Sequence, residues 1–340
     1  VMDHGQILVE GAPLDLVHSI VGDEVVELRA HDGDHAALRD QVGALGLDAQ
    51  LVGRSHECDW PPEVAALPVC THPRLALDGS SAEIDRQISE FVGHAASIYE
   101  IDRDMLRALQ PTHIVTQDQC EVCAVNLKDV EAALVEDIGN AVEIISLSPL
   151  RLGEVWASIR HAGRALGVDA DPYCRTLTGR IARIAAAGME LPGAPPSVAT
   201  IEWSDPLMAA GNWLPELVAI AGGNNLFGDA GEHSPRLEFD DLCAVEPDIL
   251  IFMPCGYDLA KTAEEAEQLL QAPTWAALAA VRDGRTFAVD GNAYFNRPGP
   301  RLVESAEILA EICHPESQDF GHEGSAWRRL DADSETDSRE

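Results

Sequence analysis

The chain reads as an α/β protein: two α/β lobes joined by a long helical connector, with a ligand cleft between the lobes. Three observations predict this. Between about Leu150 and Pro196 apolar residues recur at the helical step, Leu152, Val155 and Ile159 first, then Cys174, Leu177, Ile181 and Ile184. Short apolar runs of strand type lie on both sides of that stretch. At 340 residues the chain is long enough for two cores of ordinary size. Interfaces between lobes are favoured places for ligands.

The helical middle comes in one or two segments, with Asp171-Pro172 as a start signal. Gly188, Pro192, Gly193, Pro195 and Pro196 stop it. This divides the chain into an N-terminal extension (1–22), an α/β lobe (23–150), the connector (151–196), a second α/β lobe (197–316) and a tail (317–340). The tail reads as a loose wrap, its acidic end (331–340) as disordered.

Composition excludes some classes. A hydrophobic share of 46% is that of a globular protein. The net charge of -35 argues against a nucleic-acid partner, whose phosphates require clustered Lys and Arg, and indicates a solvated acidic surface. No apolar run is long enough to span a bilayer, and no basic-then-apolar leader is visible. The eight cysteines, Cys58, Cys70, Cys120, Cys123, Cys174, Cys243, Cys255 and Cys313, are too sparse for a disulfide scaffold. They read as small buried hydrophobes in a reducing setting.

In the first lobe, Val25–Leu28 reads as a strand, Asp32 or Asp34 caps a helix through about Leu45, and Leu51-Val52 is a second strand. The polar loop GRSHECDWPPEV (53–64) and the stretch LPVCTHPRL (67–75) follow. Residues 83–109 carry a helical pattern up to Gln110-Pro111. THIVT (112–116) is a buried strand running into QDQCEVCAV (117–125), at a strand end where α/β sheets meet ligands. Asn126 caps a helix over about 127–134, and 141–147 is a strand.

In the second lobe the strand VATIEW (198–203) leads to the loop SDPLMAAGNW, and a helix over 214–221 closes at Gly222-Gly223. Asp240 opens a helix, and the strand ILIFM (249–253) ends at the loop PCGYDL. Helices over 263–271 and 275–281, a last strand over 285–289, the loop GNAYFNRPGPR and an amphipathic helix over 302–312 complete it.

Cys120-Glu-Val-Cys123 is a single CxxC, whereas a structural zinc site takes four ligands, usually from two such pairs. His56, Cys58, Cys70, His72 or Cys255 could complete it only through folding. The favoured reading has Cys120 and Cys123 packed under a binding cleft. Cys58 beside His56 and Glu57 suggests a Cys/His enzyme as a rival from another class. Consecutive residues on an extended strand cannot all converge on one point, and no phosphate loop or nucleophile elbow is present, so no enzyme is expected.

The motifs GALGLDAQLVGRSHECDWPPEV, LQPTHIVTQDQCEVCAV, GGNNLF, EPDILIFMPCGYDL and GNAYFNRPGPRLVES together resemble those of cobalamin-binding proteins, the substrate-binding components related to vitamin B12 uptake ABC transporters. The resemblance covers about residues 43–330. It implies two Rossmann-like lobes on one stiff backbone helix, small closure on the ligand, and cobalamin or a related corrinoid held mainly by aromatic and apolar contacts. Residues 23–42 keep a strand–helix order but lack the family's Pro-Ser-Ala-Thr-Glu type turn. Residues 1–22 (VMDHGQILVEGAPLDLVHSIVG) resemble the end of an ABC transporter ATPase subunit, and are either a fused remnant or an irregular extension.

A corrin is a flat ring with amide arms, matched by aromatic plates and hydrogen-bonding groups. Trp60, Trp203, Tyr257, Tyr294 and Phe295 supply the first, and Gln117, Asp118, Asn292 and Asn296 the second. His56 is a secondary candidate for cobalt ligation, and Arg297 and Arg301 fix their loop against local acids. No cofactor is expected, cobalamin being a ligand. The implied partners are an ABC permease, docked by acidic lobe tips, and its ATPase, with the protein a monomer. The same fold with another ligand (an iron–siderophore, haem or a metal ion) is the nearest rival. Location stays open: the family works outside the cytoplasmic membrane, whereas the unpaired cysteines suit the cytoplasm.

Overall fold

The computed structural model describes residues 2–3, 6–7, 25–27, 45–75, 79–92, 99–117 and 142–330. The chain divides into two compact units. The first comprises Val1–Gly79, Glu83–Ala182 and Arg297–Arg301, the second Ser80–Ala82, Arg183–Asn296 and Leu302–Glu340. Most of 1–22, the helix expected after Asp32 or Asp34, the stretch with Asp118, Cys120, Cys123 and the Asn126-capped helix, and the acidic end 331–340 lie outside the described residues.

In the first unit, β1 (Met2–Asp3) and β2 (Gln6–Ile7) pair antiparallel. After β3 (Val25–Glu27) and β4 (Leu51–Gly53) come β5 (Thr71–Pro73), helix α1 (Ser81–Val92), β6 (Tyr99–Ile101), helix α2 (Arg103–Leu109), β7 (His113–Gln117) and β8 (Glu143–Leu147). The sheet runs β4-β3-β7-β8, every pair parallel. All five residues of β7 are buried. Ile114 packs with Cys70, Tyr99 and Leu106, whereas its neighbour Val115 packs with Leu47, Leu51, Ile145, Leu147 and Ala162. Successive strand side chains point to opposite faces, so a sheet covered on both reads as a continuous apolar run.

The pattern over 83–109 is not one helix. Tyr99–Ile101 pairs antiparallel with Thr71–Pro73, and Asp102 then caps α2 by accepting from Met105 N at 2.9 Å. An aromatic and a β-branched residue flank Glu100, which suits a strand better than a helix interior.

Helix α3 (Leu152–Ala165) buries Leu152, Val155, Trp156, Ile159 and Ala162. The Glu154 carboxylate accepts from Leu150 N and Arg151 N at its start. Helix α4 (Asp171–Met189) follows, and Arg160 Nε donates to Asp171 Oδ1 at 2.7 Å across the break. The helical middle, expected in one or two segments, is therefore two helices. The boundary between the units falls inside α4, between Ala182 and Arg183.

The second unit contains β9 (Ser197–Ser204), β10 (Leu207–Ala209), α5 (Leu214–Ile220), β11 (Asn224–Asn225), α6 (Phe239–Val245), β12 (Ile249–Phe252), α7 (Leu259–Leu270), α8 (Pro273–Ala276), α9 (Ala279–Arg282), β13 (Thr286–Val289), α10 (Leu302–Cys313) and β14 (Trp327–Arg329). Its sheet runs β10-β9-β12-β13-β14, with β11 also on β9. The inner strands are parallel, and β10 and β14 are antiparallel edges. Within the expected loop after Trp203, Leu207–Ala209 instead turns back as an edge strand. At the opposite end of the sheet, Asp248 Oδ2 accepts from both N and Oγ of Ser197, aligning β12 with β9.

Two expectations for the end of the chain are corrected. Helix α10 is not amphipathic toward solvent: every residue except Glu304 is buried. The segment after Pro315 is not a loose wrap either. Glu311 Oε1 accepts from Phe320 N at 2.5 Å and His322 N at 3.1 Å, and its Oε2 from Trp327 Nε1 at 2.5 Å. A buried carboxylate is tolerated only when its oxygens are satisfied, and here the tail supplies the donors. His322 Nε2 lies 3.0 Å from Glu307 Oε2.

Four of the six described cysteines are buried. Burial pushes the thiols of Cys70 and Cys313 up to about 12 and that of Cys174 to about 11, so these are packing groups and not nucleophiles.

The tail contact is pH-dependent. The hydrogen bond to Glu307 first, and the charges of Glu311 and Glu304 further, hold the His322 pKa above the ordinary 6.5. A raised folded-state value gives stability that is complete below 6.5 and lost as pH rises through the folded value. The melting temperature of the wild type should exceed that of His322→Gln most at pH 6, with the gap narrowing by pH 8.5. A gap independent of pH would remove the charged histidine from this account.

Candidate functional site

Parallel strands β9, β12 and β13 end together, and loops carrying most of the expected ligand contacts follow them. Met253 N donates to Ile201 O at 2.8 Å and Cys255 N to Glu202 O at 3.2 Å, extending the β9 ladder past the strand. Tyr257 N returns to Pro254 O at 3.2 Å, which turns the chain into α7. Asp258 caps that helix by accepting from Lys261 N at 2.8 Å. The Tyr257 ring lies 5.7 Å from Trp203, tilted, and the Lys261 ammonium stands 3.8 Å from the Tyr257 ring centre.

The loop after β13 is a π-helical turn, Gly291–Phe295, capped by Asp290 Oδ1 accepting from Ala293 N at 2.7 Å. Asn292 N donates to Tyr257 O at 3.0 Å, so this loop and the previous one are one unit. From outside, Ser305 Oγ donates to Tyr294 O, and Trp213 Nε1 donates to Phe295 O at 3.0 Å. Gly291 is required by proximity: a Cβ there would lie 2.4 Å from Pro254 O, 2.7 Å from Asn296 Oδ1 and 2.9 Å from Met253 O.

The expected contacts separate by exposure. Asn292 and Tyr294 are partly exposed at this edge. Trp203, Tyr257 and Asn296 are buried, with 9%, 2% and 6% of their surface exposed. Phe295 is fully buried, so its ring belongs to the core and is not a plate at the loop surface. Sequence reasoning passed over Glu202, whose Oε2 accepts from Ser234 Oγ at 2.7 Å while Oε1 accepts from Cys255 Sγ at 3.5 Å. The signal was available, since Glu202 is the one charged residue of its strand.

In the first unit Gln117 ends β7 and is buried, while Asp118, Cys120 and Cys123 lie outside the described residues. The loop after β4 wraps around Arg54, whose Nη1 donates to the carbonyls of Ser55, Cys58 and His56. His56 Nδ1 is 2.6 Å from Thr71 Oγ1, its Nε2 is 3.4 Å from Glu57 Oε1, and its ring stacks on Tyr99 at 5.3 Å. The buried Cys58 thiol faces Ser55 Oγ at 3.2 Å, so His56 and Cys58 turn to different partners. Among the described residues no three His, Cys, Asp or Glu side chains gather in a way that could hold a metal.

Trp60 is 41% exposed. The Arg301 guanidinium lies 4.5 Å from its ring centre, and Arg297 grips the preceding Asp59 with both Nη atoms, at 2.6 and 3.1 Å. The two arginines thus hold the loop after β4.

The family model described as Periplasmic binding protein matches residues 40–293. The chain belongs to the periplasmic binding protein family. Its two units, each with a parallel sheet at its centre, are the two lobes of that fold, and members are substrate-binding components of transport systems. No curated protein matches the chain. Among solved structures, a periplasmic heme-binding protein from Pseudomonas aeruginosa is similar at 21% identity and a TM-score of 0.62, covering 87% of this chain and 94% of the other. The heme-binding protein RhuT from Roseiflexus sp. RS-1 is similar at 20% identity and 0.62, covering 87% and 100%. The vitamin B12 binding protein BtuF of Vibrio cholerae is similar at 16% identity and 0.55, covering 86% and 96%. No helix among the described residues of this periplasmic binding protein is long and apolar enough to cross a membrane.

Gly291→Ala should destabilise the second lobe by about 1–3 kcal/mol, because main-chain oxygens cannot move aside as a side chain would. Urea unfolding followed by tryptophan emission measures it; a change within about 0.5 kcal/mol would mean that the turn rebuilds freely.

Proposed function

We propose that this periplasmic binding protein binds cobalamin or a related corrinoid, as the substrate-binding component of an ABC uptake system working outside the cytoplasmic membrane as a monomer. The observation that carries the reading is the chemistry of the accessible groups in each unit, aromatic and amide, while Arg54, Arg297 and Lys261 have partners within their own units. Tyr294 and Asn292 share one pinned loop, and Trp60 exposes an indole on the loop after β4. A corrin ring with neutral amide arms suits plates and hydrogen-bonding groups of this kind.

Haem and ferric siderophores pose a different requirement, since carboxylate-bearing or anionic ligands need cations to meet them. Arg54 spends Nη1 on main-chain carbonyls, Arg297 is paired with Asp59, and Lys261 lies over Tyr257. The net charge of -35 adds a general repulsion of anions. Haem is the second reading, because two heme-binding structures resemble this chain at a TM-score of 0.62. A permease and its ATPase are the partners the family implies.

Parallel calorimetric titrations with cyanocobalamin, haemin, a ferric siderophore and Ni²⁺ test this. One-to-one binding of cyanocobalamin, tighter than that of the other three, is expected. Tyr294→Ala and Asn292→Ala should each weaken it about tenfold, a cost of ~1.4 kcal/mol. Binding of haemin without binding of cyanocobalamin would overturn the corrinoid reading in favour of the second.

A further inference from the structure

The segment Arg297-Pro-Gly-Pro-Arg301 lies far along the chain from the loop after β4, yet it takes hold of two consecutive residues there. Arg297 is 3% exposed and makes a two-pronged ion pair with Asp59, whose side chain is 54% exposed. Arg301 covers the neighbouring Trp60 ring at 4.5 Å. Between the arginines, Pro298 and Pro300 each fix a backbone dihedral, which limits how far the two guanidinium groups can move apart.

The target loop is stiff on both sides of this grip. Upstream, Cys58 N returns to Ser55 O, and Arg54 ties the carbonyls of Ser55 and Cys58 together. Downstream, Pro61 leads into the 3₁₀ turn Pro62–Ala66. Asp59 and Trp60 are the two residues between these fixed ends, and an arginine holds each.

We propose that Arg297 and Arg301 are positioning residues: they clasp Asp59 and Trp60 so that one indole face lies against a guanidinium and the ring is set in advance for a planar ligand. This rests on the ligand reading above. The chemistry explains the choice of arginine. A planar fork meets both carboxylate oxygens at once and packs flat on an aromatic face, whereas an ammonium does neither. An exposed indole without such backing must be ordered when the ligand arrives, and ordering a mobile side chain weakens binding.

Tryptophan emission reads the clasp without any ligand. Of the six tryptophans, Trp60 is exposed, and the other five are at most 9% exposed. Quenching by iodide therefore reports chiefly on Trp60, and Arg301 draws the anion toward it. The experiment compares the full-length wild type with Arg297→Lys, Arg301→Gln and, as a charge-matched control, Arg107→Gln, which breaks an exposed pair with Asp104. Each is quenched with iodide and with neutral acrylamide, then titrated with cyanocobalamin.

Arg301→Gln should lower iodide quenching while raising acrylamide quenching. Arg297→Lys should raise acrylamide quenching and weaken cyanocobalamin binding about five- to tenfold at unchanged stoichiometry, and the control should match the wild type. Using two variants guards against Arg297→Lys simply unfolding, since Arg301 is only half-buried. Unchanged quenching in both arginine variants overturns the clasp. So does altered quenching with undiminished cyanocobalamin affinity, because the ring's setting would then not matter to the ligand. If the wild type binds no cyanocobalamin while quenching shifts as expected, the corrinoid reading falls and the clasp on Trp60 is supported.

Discussion

The approach of Gly291 to the carbonyl oxygens of Met253 and Pro254 is the constraint on which the edge of the second lobe depends. Only a residue without a Cβ lets the turn after β13 lie against the turn after β12. That approach permits Asn292 N to reach Tyr257 O, and it sets the Gly291–Phe295 turn where Ser305 and Trp213 hold it from outside. Asn292 and Tyr294 are therefore presented by backbone already tied at several points. Rigid support of this kind suits recognition of a large, stiff ligand, since little has to be ordered on binding.

Charge is handled the same way in both lobes. The chain is strongly acidic, yet its buried charged groups have named partners: Arg297 has Asp59, Glu311 has Trp327 and two main-chain amides, and Glu307 has His322. An isolated buried charge is too costly to keep, so each of these marks a place where the chain folds back to supply a partner. Two such places lie beside candidate site loops. One docks the tail beside the helix that follows the Tyr294 loop, and the other holds the loop bearing Trp60.

Much of the fold was legible because its inner strands are covered on both faces. Of the runs THIVT, VATIEW and ILIFM only the last is wholly apolar, yet each has an apolar centre and proved to be a parallel strand within one or two residues of its expected bounds. Edge elements were harder to read. Leu207–Ala209, Tyr99–Ile101 and Trp327–Arg329 are three residues each, too short to show a period, and exist because a neighbouring strand offers hydrogen bonds. Of the candidate site, aromatics and amides at strand ends can be named from the sequence, but not which of them stay accessible. Phe295 looks like its neighbour Tyr294 in sequence, yet packing sends one ring into the core and leaves the other partly exposed.

The sequence by itself determined the class of the protein: the alternation of strands and helices, the helical middle, and the aromatic and amide character of the loops at the strand ends. Local composition and periodicity are enough for that, because burial on both faces of a sheet and along one stripe of a helix leaves a direct trace in the order of residues. Tertiary structure alone decided which residues meet across long separations. Arg297 with Asp59, Glu311 with the tail amides, and Gly291 with the carbonyls of the preceding loop leave no periodic trace. Each depends on where the chain returns after folding, and on what a buried charge or a crowded backbone then requires.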